Sequence, residues 1–365
     1  MQEKNINIEK ARIFAMLSIL IGHNLGHGGI LETCNVFSLN YEVGYFIKSL
    51  IICGVNVYAI ISGYVLYGKH IKVSNIVRIW LEVWFYSCLM SFGSSIIFHQ
   101  TITKKQLITT LMPVLTKQYW YPTVYIGLYL FVPYLNSMID VMDKKYIRRM
   151  LYLCFILCSC LPTIVNNNLM DVPTGSITWL AICYLIGAFI RKYGINELIF
   201  YPKTISCSKW FGLYIMSGGV IWLSHCMLSH LTLIVFGEIR YASIFITNIS
   251  PLVLIEAICL FQFSLVQKQT GKFKRVIMMF GGNSLAAYLI QDNIYFKKNW
   301  FENLLVKVSG YNVFMFVIIT IGVAILFYIV AVGCEYIRKV LLNNKLYKNI
   351  TDKMDEKFGQ WVIYK

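Results

Sequence analysis

Two side chains near the start of the chain stand where ionisable groups are costly. Arg12 and His23 lie in ARIFAMLSILIGHNLGHGGI (11–30), a stretch otherwise apolar enough to cross a bilayer. Arginine near a membrane-helix centre costs about 2.5–3.5 kcal/mol on insertion scales, and ionisable groups at such depth usually mark a pathway or a reactive site. Eleven residues at roughly 100° each make three turns plus about 20°, so both side chains leave one helix face, roughly 16 Å apart along the axis. The pattern is a cation at one membrane surface and a titratable base near or beyond the bilayer middle. Taken singly, Arg12 also reads as an anchor snorkelling to the headgroups, and His23 as an interfacial histidine bonded to a neighbouring helix. Only their alignment on one face favours chemistry.

Further polar groups fall near these two. Ser62, Gly63 and Tyr64 close an apolar run, Lys69 and Lys72 occupy the short connection after it, and Arg78 opens the next run. With Arg12 they make a cation cluster suited to a polyanion, since the guanidinium fork matches phosphate; the ordinary excess of positive charge on one membrane side also accounts for it. Asn283, Ser284, Gln291 and Asp292 lie in a late apolar run, Asp292 at about the level of His23, where a carboxylate would orient an imidazole and strengthen it as a base. Glu256 falls near mid-depth, where an unpaired carboxylate does not stay charged. Trp120, Tyr121, Tyr125 and Tyr129 are either an interfacial aromatic belt or platforms for sugar rings. His23 and His27 have the i, i+4 spacing of two metal ligands, but a catalytic zinc needs a third; no HExxH pattern supplies it, and no metal is expected. No GxSxG signal supports a hydrolase triad.

The elements that must hold these groups are membrane helices. At 58% hydrophobic and 14% charged residues over 365 positions, with a mean hydropathy of +0.62, the chain is too apolar for a soluble domain. The net charge of +16 is dispersed between apolar runs rather than gathered on one patch, so it speaks for topology and against nucleic acid. The eleven cysteines sit mostly in apolar runs without a CxxC pair and read as packing residues. The first apolar run, without an A-x-A cleavage site, reads as a retained span.

Apolar runs predict ten spans, at roughly 11–30, 43–66, 76–98, 120–141, 146–165, 174–190, 210–228, 244–266, 277–295 and 312–337. Of the 33 Lys and Arg, 25 then fall on the side of the N-terminus and 7 on the other, with Lys48 inside the second span. The positive-inside rule puts both termini in the cytoplasm. The expected fold is therefore all-α and polytopic: a transmembrane domain over 1–337 and a basic tail over 338–365. In that tail Leu342, Leu346, Ile350, Met354, Phe358 and Trp361 form the apolar stripe of an amphipathic helix on the cytoplasmic membrane face.

Five stretches in order carry a resemblance. Arg12 with His23 eleven positions on, NVYAIISGYVL (56–66), RIW (78–80), YWYPTVYIGLYLFVPYLN (119–136) and GGNSLAAYLI (281–290) together resemble the membrane acyltransferase-3 family, over most of residues 8–295. The resemblance implies about ten core helices with cytoplasmic termini in a cell membrane. It implies transfer of an acyl group, usually acetyl from cytoplasmic acetyl-CoA, to hydroxyls of cell-surface glycans. Carried over by position, it makes Arg12 and His23 the catalytic pair and puts Arg78 and Ser62–Tyr64 at the donor site. Two departures stand out: Gln291 replaces the family's histidine after YLI, and Val57 and Tyr58 replace its aromatic pair.

The two readings meet in one expectation. The enzyme is an O-acetyltransferase in which Arg12, Arg78 and Lys69 hold the phosphates of acetyl-CoA. His23 meets the thioester, either deprotonating the acceptor hydroxyl or becoming acylated itself. Ser62, Tyr64 or Asn283 would stabilise the oxyanion, and Trp120, Tyr125, Asn283, Ser284 and Asp292 are the candidate contacts to a glycan or a lipid-linked precursor. Partners in glycan synthesis or export fit this role. The rival reading is a transporter or flippase for glycan intermediates, for which inverted repeats and interrupted helices would be the signs; the sequence shows no such internal symmetry.

Overall fold

A computed structural model of the chain describes residues 5–165, 172–201, 203–268, 271–342 and 352–357. Among the described residues the regular structure is all helical. The principal helices are α1 (Ile6–Leu25), α2 (Leu39–Ile51), α3 (Gly54–Leu66), α4 (Val73–Ile97), α5 (Trp120–Val141) and α6 (Lys144–Phe155). They continue with α7 (Ile177–Tyr193), α8 (Cys207–Phe236), α9 (Pro251–Val266), α10 (Lys274–Gly282), α11 (Leu285–Gln291) and α12 (Val313–Leu342).

Among the described residues seven helical stretches are long and apolar enough to cross a membrane, α2 with α3 and α6 with its continuation to Val165 each forming one. The other three expected spans correspond to α7, of 17 residues, α9, of 16, and a broken stretch, α10–α11. The break is a departure from the continuous helix expected over 277–295. Gly281 and Gly282 are poor helix formers, Gly281 lies against Glu9 so closely that a Cβ would collide with it, and Asn283 leaves the helical region at φ −119°, ψ 14°. The turn delivers Ser284 to the interior instead of continuing the ladder.

α1 is the hub, touching α2, α3, α9, α10, α11 and α12. Its first cap is Asn5, whose side chain accepts from the Asn7 amide, satisfying one orphan donor. Its lower half packs Ile8, Ala11 and Ala15 into a core shared with α3, α5, α7, α8 and α9. Its upper half packs Met16, Leu20, Ile21 and Leu25 into a second core with α4, α11 and α12. A helix gripped on most of its circumference must find partners for its polar side chains inside the bundle, and besides Arg12 and His23 it buries Asn7, Glu9, Ser18 and Asn24.

α3 and α7 cross at their backbones. A Cβ at Gly63 would collide with the Tyr184 carbonyl, and one at Gly187 with the Ile60 carbonyl, a reciprocal small-residue contact of the kind that lets membrane helices approach closely. α12 runs unbroken past 337, through the expected boundary between membrane domain and tail. Of the tail stripe, Leu342 ends α12 and Met354 falls in the described helical segment 352–357; Leu346, Ile350, Phe358 and Trp361 lie outside the described residues. Asp355 accepts from the Ser74 amide at 2.8 Å and its hydroxyl at 2.6 Å, so segment 352–357 sits at the start of α4.

Candidate functional site

The end of the bundle where α1 begins holds an open cavity of about 880 Å³. Arg12, Lys69 and Arg191 line it together with Glu9, Tyr64, Tyr67 and Asn75. Three cations against one carboxylate leave the space positive. Arg12 is paired: its Nη1 lies 2.7 Å from Glu9 Oε1, with Glu9 almost fully buried. Arg191 stacks over the Tyr64 ring at 5.1 Å, and its Nη1 lies 3.4 Å from the Tyr64 hydroxyl. Burial, then hydrogen bonding to Asp140 at the rim, pushes the Tyr67 phenol up to about 12. Arg78 is exposed on α4 and does not line the cavity.

His23 lies three turns further along α1. Its Nδ1 is 3.0 Å from Gln291 Oε1. A carbonyl oxygen only accepts, so Nδ1 carries the proton and Nε2 keeps the lone pair. The orienting partner that the sequence reading sought in Asp292 is thus Gln291, the residue that replaces a histidine. Asp292 lies beyond: it accepts from the Tyr288 hydroxyl at 2.9 Å and pairs with Lys297 at 3.4 Å. Ligand atoms of His23, His27 and Asp292 all fall within 4.8 Å of one another. This supplies the third side chain that HExxH-type reasoning lacked, and these three are the residues that would hold a divalent ion.

Between the cavity and His23 lies a small chamber of about 90 Å³, lined by His23, Tyr58, Trp120, Tyr121, Ser284 and Tyr288 among others. Tyr58 ties its walls together: its hydroxyl is 2.9 Å from both the Arg12 carbonyl oxygen and the Ser284 hydroxyl oxygen. A file of rings joins the two spaces. Asn75, on the cavity wall, donates to the Tyr129 hydroxyl at 2.9 Å. Successive centroids then step 6.3 Å to Tyr125, 5.9 Å to Tyr121 and 6.4 Å to Tyr288, which is 6.3 Å from His23. Three of these tyrosines recur every four residues on α5, one stripe of that helix.

Of the residues singled out from sequence, His23, Trp120 and Ser284 meet at the chamber, while Arg12, Lys69 and Tyr64 meet at the cavity. Ser62 and Tyr125 meet each other at 3.3 Å between the two spaces. Asn283 is turned the other way, accepting from Lys339 Nζ at 2.6 Å, and Glu256 is fully buried on α9, lining neither space. Glu9, Tyr58 and Arg191 were not among the candidates, and Gln291, noted as a polar group at this depth, was given no role there. Glu9 was recognisable as a carboxylate one helical turn before Arg12, and Tyr58 as the polar exception within an apolar run.

A helical bundle with a half-buried, oriented histidine on the wall of an inner chamber, next to an open cation-lined cavity, defines a class: membrane proteins that operate on something brought into their interior. The chain belongs to the membrane acyltransferase-3 family; the family described as acyltransferase domain matches residues 5–334, nearly its whole length. It is therefore a membrane acyltransferase. Neither a curated protein nor a solved structure gives a match.

Proposed function

We propose that this acyltransferase moves an acetyl group from cytoplasmic acetyl-CoA to a hydroxyl of a cell-surface or exported polysaccharide, or of its lipid-linked precursor. The observation that carries the reading is the arrangement along α1: a positive cavity large enough for a nucleotide at one end, and an imidazole with a free Nε2 at the other. With both termini cytoplasmic, as the distribution of Lys and Arg implies, the cavity opens to the cytoplasm. Arg12, Lys69 and Arg191 would hold the phosphates by charge-assisted hydrogen bonds, and the ring file would guide the thioester arm. The chamber supports a short acyl group, since about 90 Å³ is the share of about three waters in the liquid.

In the proposed reaction His23 Nε2 takes the proton of the acceptor hydroxyl, and that oxygen attacks the thioester carbonyl carbon. Negative charge builds on the carbonyl oxygen, beside the Tyr58 and Ser284 hydroxyls. The carbon–sulfur bond breaks, and the thiolate leaves with the proton from His23. Atoms and charge balance without another reagent.

The test is transfer from radiolabelled acetyl-CoA in membranes carrying wild type, His23→Ala or Arg12→Ala. Alkali-labile label on glycan is expected in wild type alone. Full labelling in His23→Ala would remove that residue from the reaction. The interruption at Asn283 is of the kind transporters use, so it keeps the flippase reading open; translocation of a lipid-linked sugar with no label on glycan in any sample would favour that rival.

A further inference from the structure

A further space opens at the opposite end of the bundle from Arg12, where α2 begins and α8 ends. It measures about 420 Å³, and its walls include Tyr41, Tyr45, His225, Tyr241, Ser243 and Thr247. The inner wall is tied by hydrogen bonds and ring stacking. His225 Nδ1 is 3.0 Å from the Ala242 carbonyl oxygen, so Nδ1 is the donor, and Nε2, 3.4 Å from the Tyr41 hydroxyl, is the acceptor. The imidazole is thereby fixed in one neutral tautomer, and Tyr45 stacks on it with centroids 3.7 Å apart. Across the opening Tyr241 leaves 54% of its surface exposed.

The backbone around this space is held in costly conformations. Tyr241 has φ 57°, and Phe37, whose ring lies 6.3 Å from Tyr41 and stacks on His230 at 4.2 Å, has φ 62°. Bulky residues in the left-handed region are outliers that persist where the surroundings impose them, commonly at ligand sites. An interfacial aromatic belt does not account for the lining, because Tyr41, Tyr45 and His225 pack on one another along one wall of a concavity that Tyr241 also lines.

We infer that this space is a binding subsite for an uncharged sugar ring of an oligosaccharide, separate from the acyl-transfer chamber. An exposed ring supplies a face for the C–H side of a pyranose, and the Tyr45, Ser243 and Thr247 hydroxyls supply partners for its hydroxyl groups. Among the described residues no charged side chain lines the space. The nearby charges stand outside the lining: Arg240 is paired with Glu238, Glu42 accepts from Cys226 Sγ, and Lys48 lies over the Tyr45 ring at 5.4 Å, so the polar groups offered inside the space are uncharged. The inference rests on the glycan-acceptor reading above and deepens it: the acceptor would be gripped one or more residues away from the hydroxyl that reacts.

The test uses full-length protein in nanodiscs, avoiding maltoside detergents whose headgroup is itself a neutral sugar. Saturation-transfer NMR would be recorded with maltotriose, cellotriose, mannotriose, triacetylchitotriose and, as a charged comparison, trigalacturonate. At least one neutral trisaccharide should receive saturation. Tyr241→Asn, which suits the left-handed backbone while deleting the ring, should weaken that binding about tenfold, and Tyr241→Trp should restore it. His23→Ala should bind sugar as wild type does, which separates this inference from the catalytic one. Saturation of no neutral sugar, unchanged binding in Tyr241→Asn, or preference for trigalacturonate would overturn it. Intact sugar binding with no acetyl transfer in wild type would instead count against the acyl-transfer reading alone.

Discussion

Replacing Gln291 by Leu removes the acceptor opposite His23 Nδ1 with little change of volume at a site that is almost fully buried. A hydrogen bond of this type is worth about 1 kcal/mol net, roughly fivefold in rate if all of it is felt in the transition state. The larger loss comes from the imidazole itself. Without the carbonyl at 3.0 Å the ring is free to take the other tautomer or to turn, and either removes the Nε2 lone pair from the chamber. The combined expectation is a kcat for acetyl transfer lowered roughly ten- to a hundredfold, since misplacing a reacting group by about 1 Å costs on the order of a hundredfold. KM for acetyl-CoA should stay within about twofold, because the cation-lined cavity is roughly 16 Å away along α1. Gln291→Glu, which keeps an acceptor at the same place, should retain more activity than Gln291→Leu. Steady-state transfer kinetics on protein in nanodiscs decide it. Equal activity in Leu and wild type, or a loss confined to KM, would refute the claim that this contact prepares the base.

Three further outcomes follow from the same geometry. Lys69→Ala and Arg191→Ala should each raise KM for acetyl-CoA about tenfold and make it less dependent on salt, in line with a charge-assisted phosphate contact of about 1.5 kcal/mol, while Arg78→Ala, outside the cavity, changes KM less than twofold. Gly187→Val should lower the melting temperature markedly or abolish the folded monomer in fluorescence-detected size exclusion, because an added side chain meets the Ile60 carbonyl and overpacking costs typically 1–3 kcal/mol or more. Tyr58→Phe keeps the ring file but removes the hydroxyl between Arg12 and Ser284, so kcat should fall about tenfold with KM for acetyl-CoA little changed, measured in the same assay.

The part of this arrangement readable in advance was the part set by helix periodicity. Eleven residues on an unbroken helix fix the relation of Arg12 to His23 whatever surrounds them, and α1 is unbroken from Ile6 to Leu25. What surrounds them depends on which helices touch, and periodicity within one segment carries no information about that. Arg191 reached the cavity because α7 crosses α3 at Gly63 and Gly187, a contact between segments more than a hundred positions apart. Arg78 missed it because its turn of α4 faces outward, although the connection from α3 is short. The role of Gln291 ran against expectation for a chemical reason: an amide oxygen does for a neutral imidazole what a carboxylate was expected to do. The broken α10–α11 stretch was hidden because two glycines in an apolar run are compatible with a continuous membrane helix, and the close approach of Glu9 that requires a glycine at 281 is a contact between distant segments.

The arrangement along α1 is tested most directly by a cryo-EM structure of the protein in nanodiscs with a non-transferable ketone analogue of acetyl-CoA. The account predicts phosphates against Arg12, Lys69 and Arg191, the arm beside Tyr125 and Tyr121, and the analogue's carbonyl carbon about 4–6 Å from His23 Nε2, which leaves room for an acceptor oxygen hydrogen-bonded to Nε2 and within the roughly 3–3.5 Å near-attack distance of that carbon. Nucleotide bound elsewhere, or an arm leading away from the chamber, would contradict it.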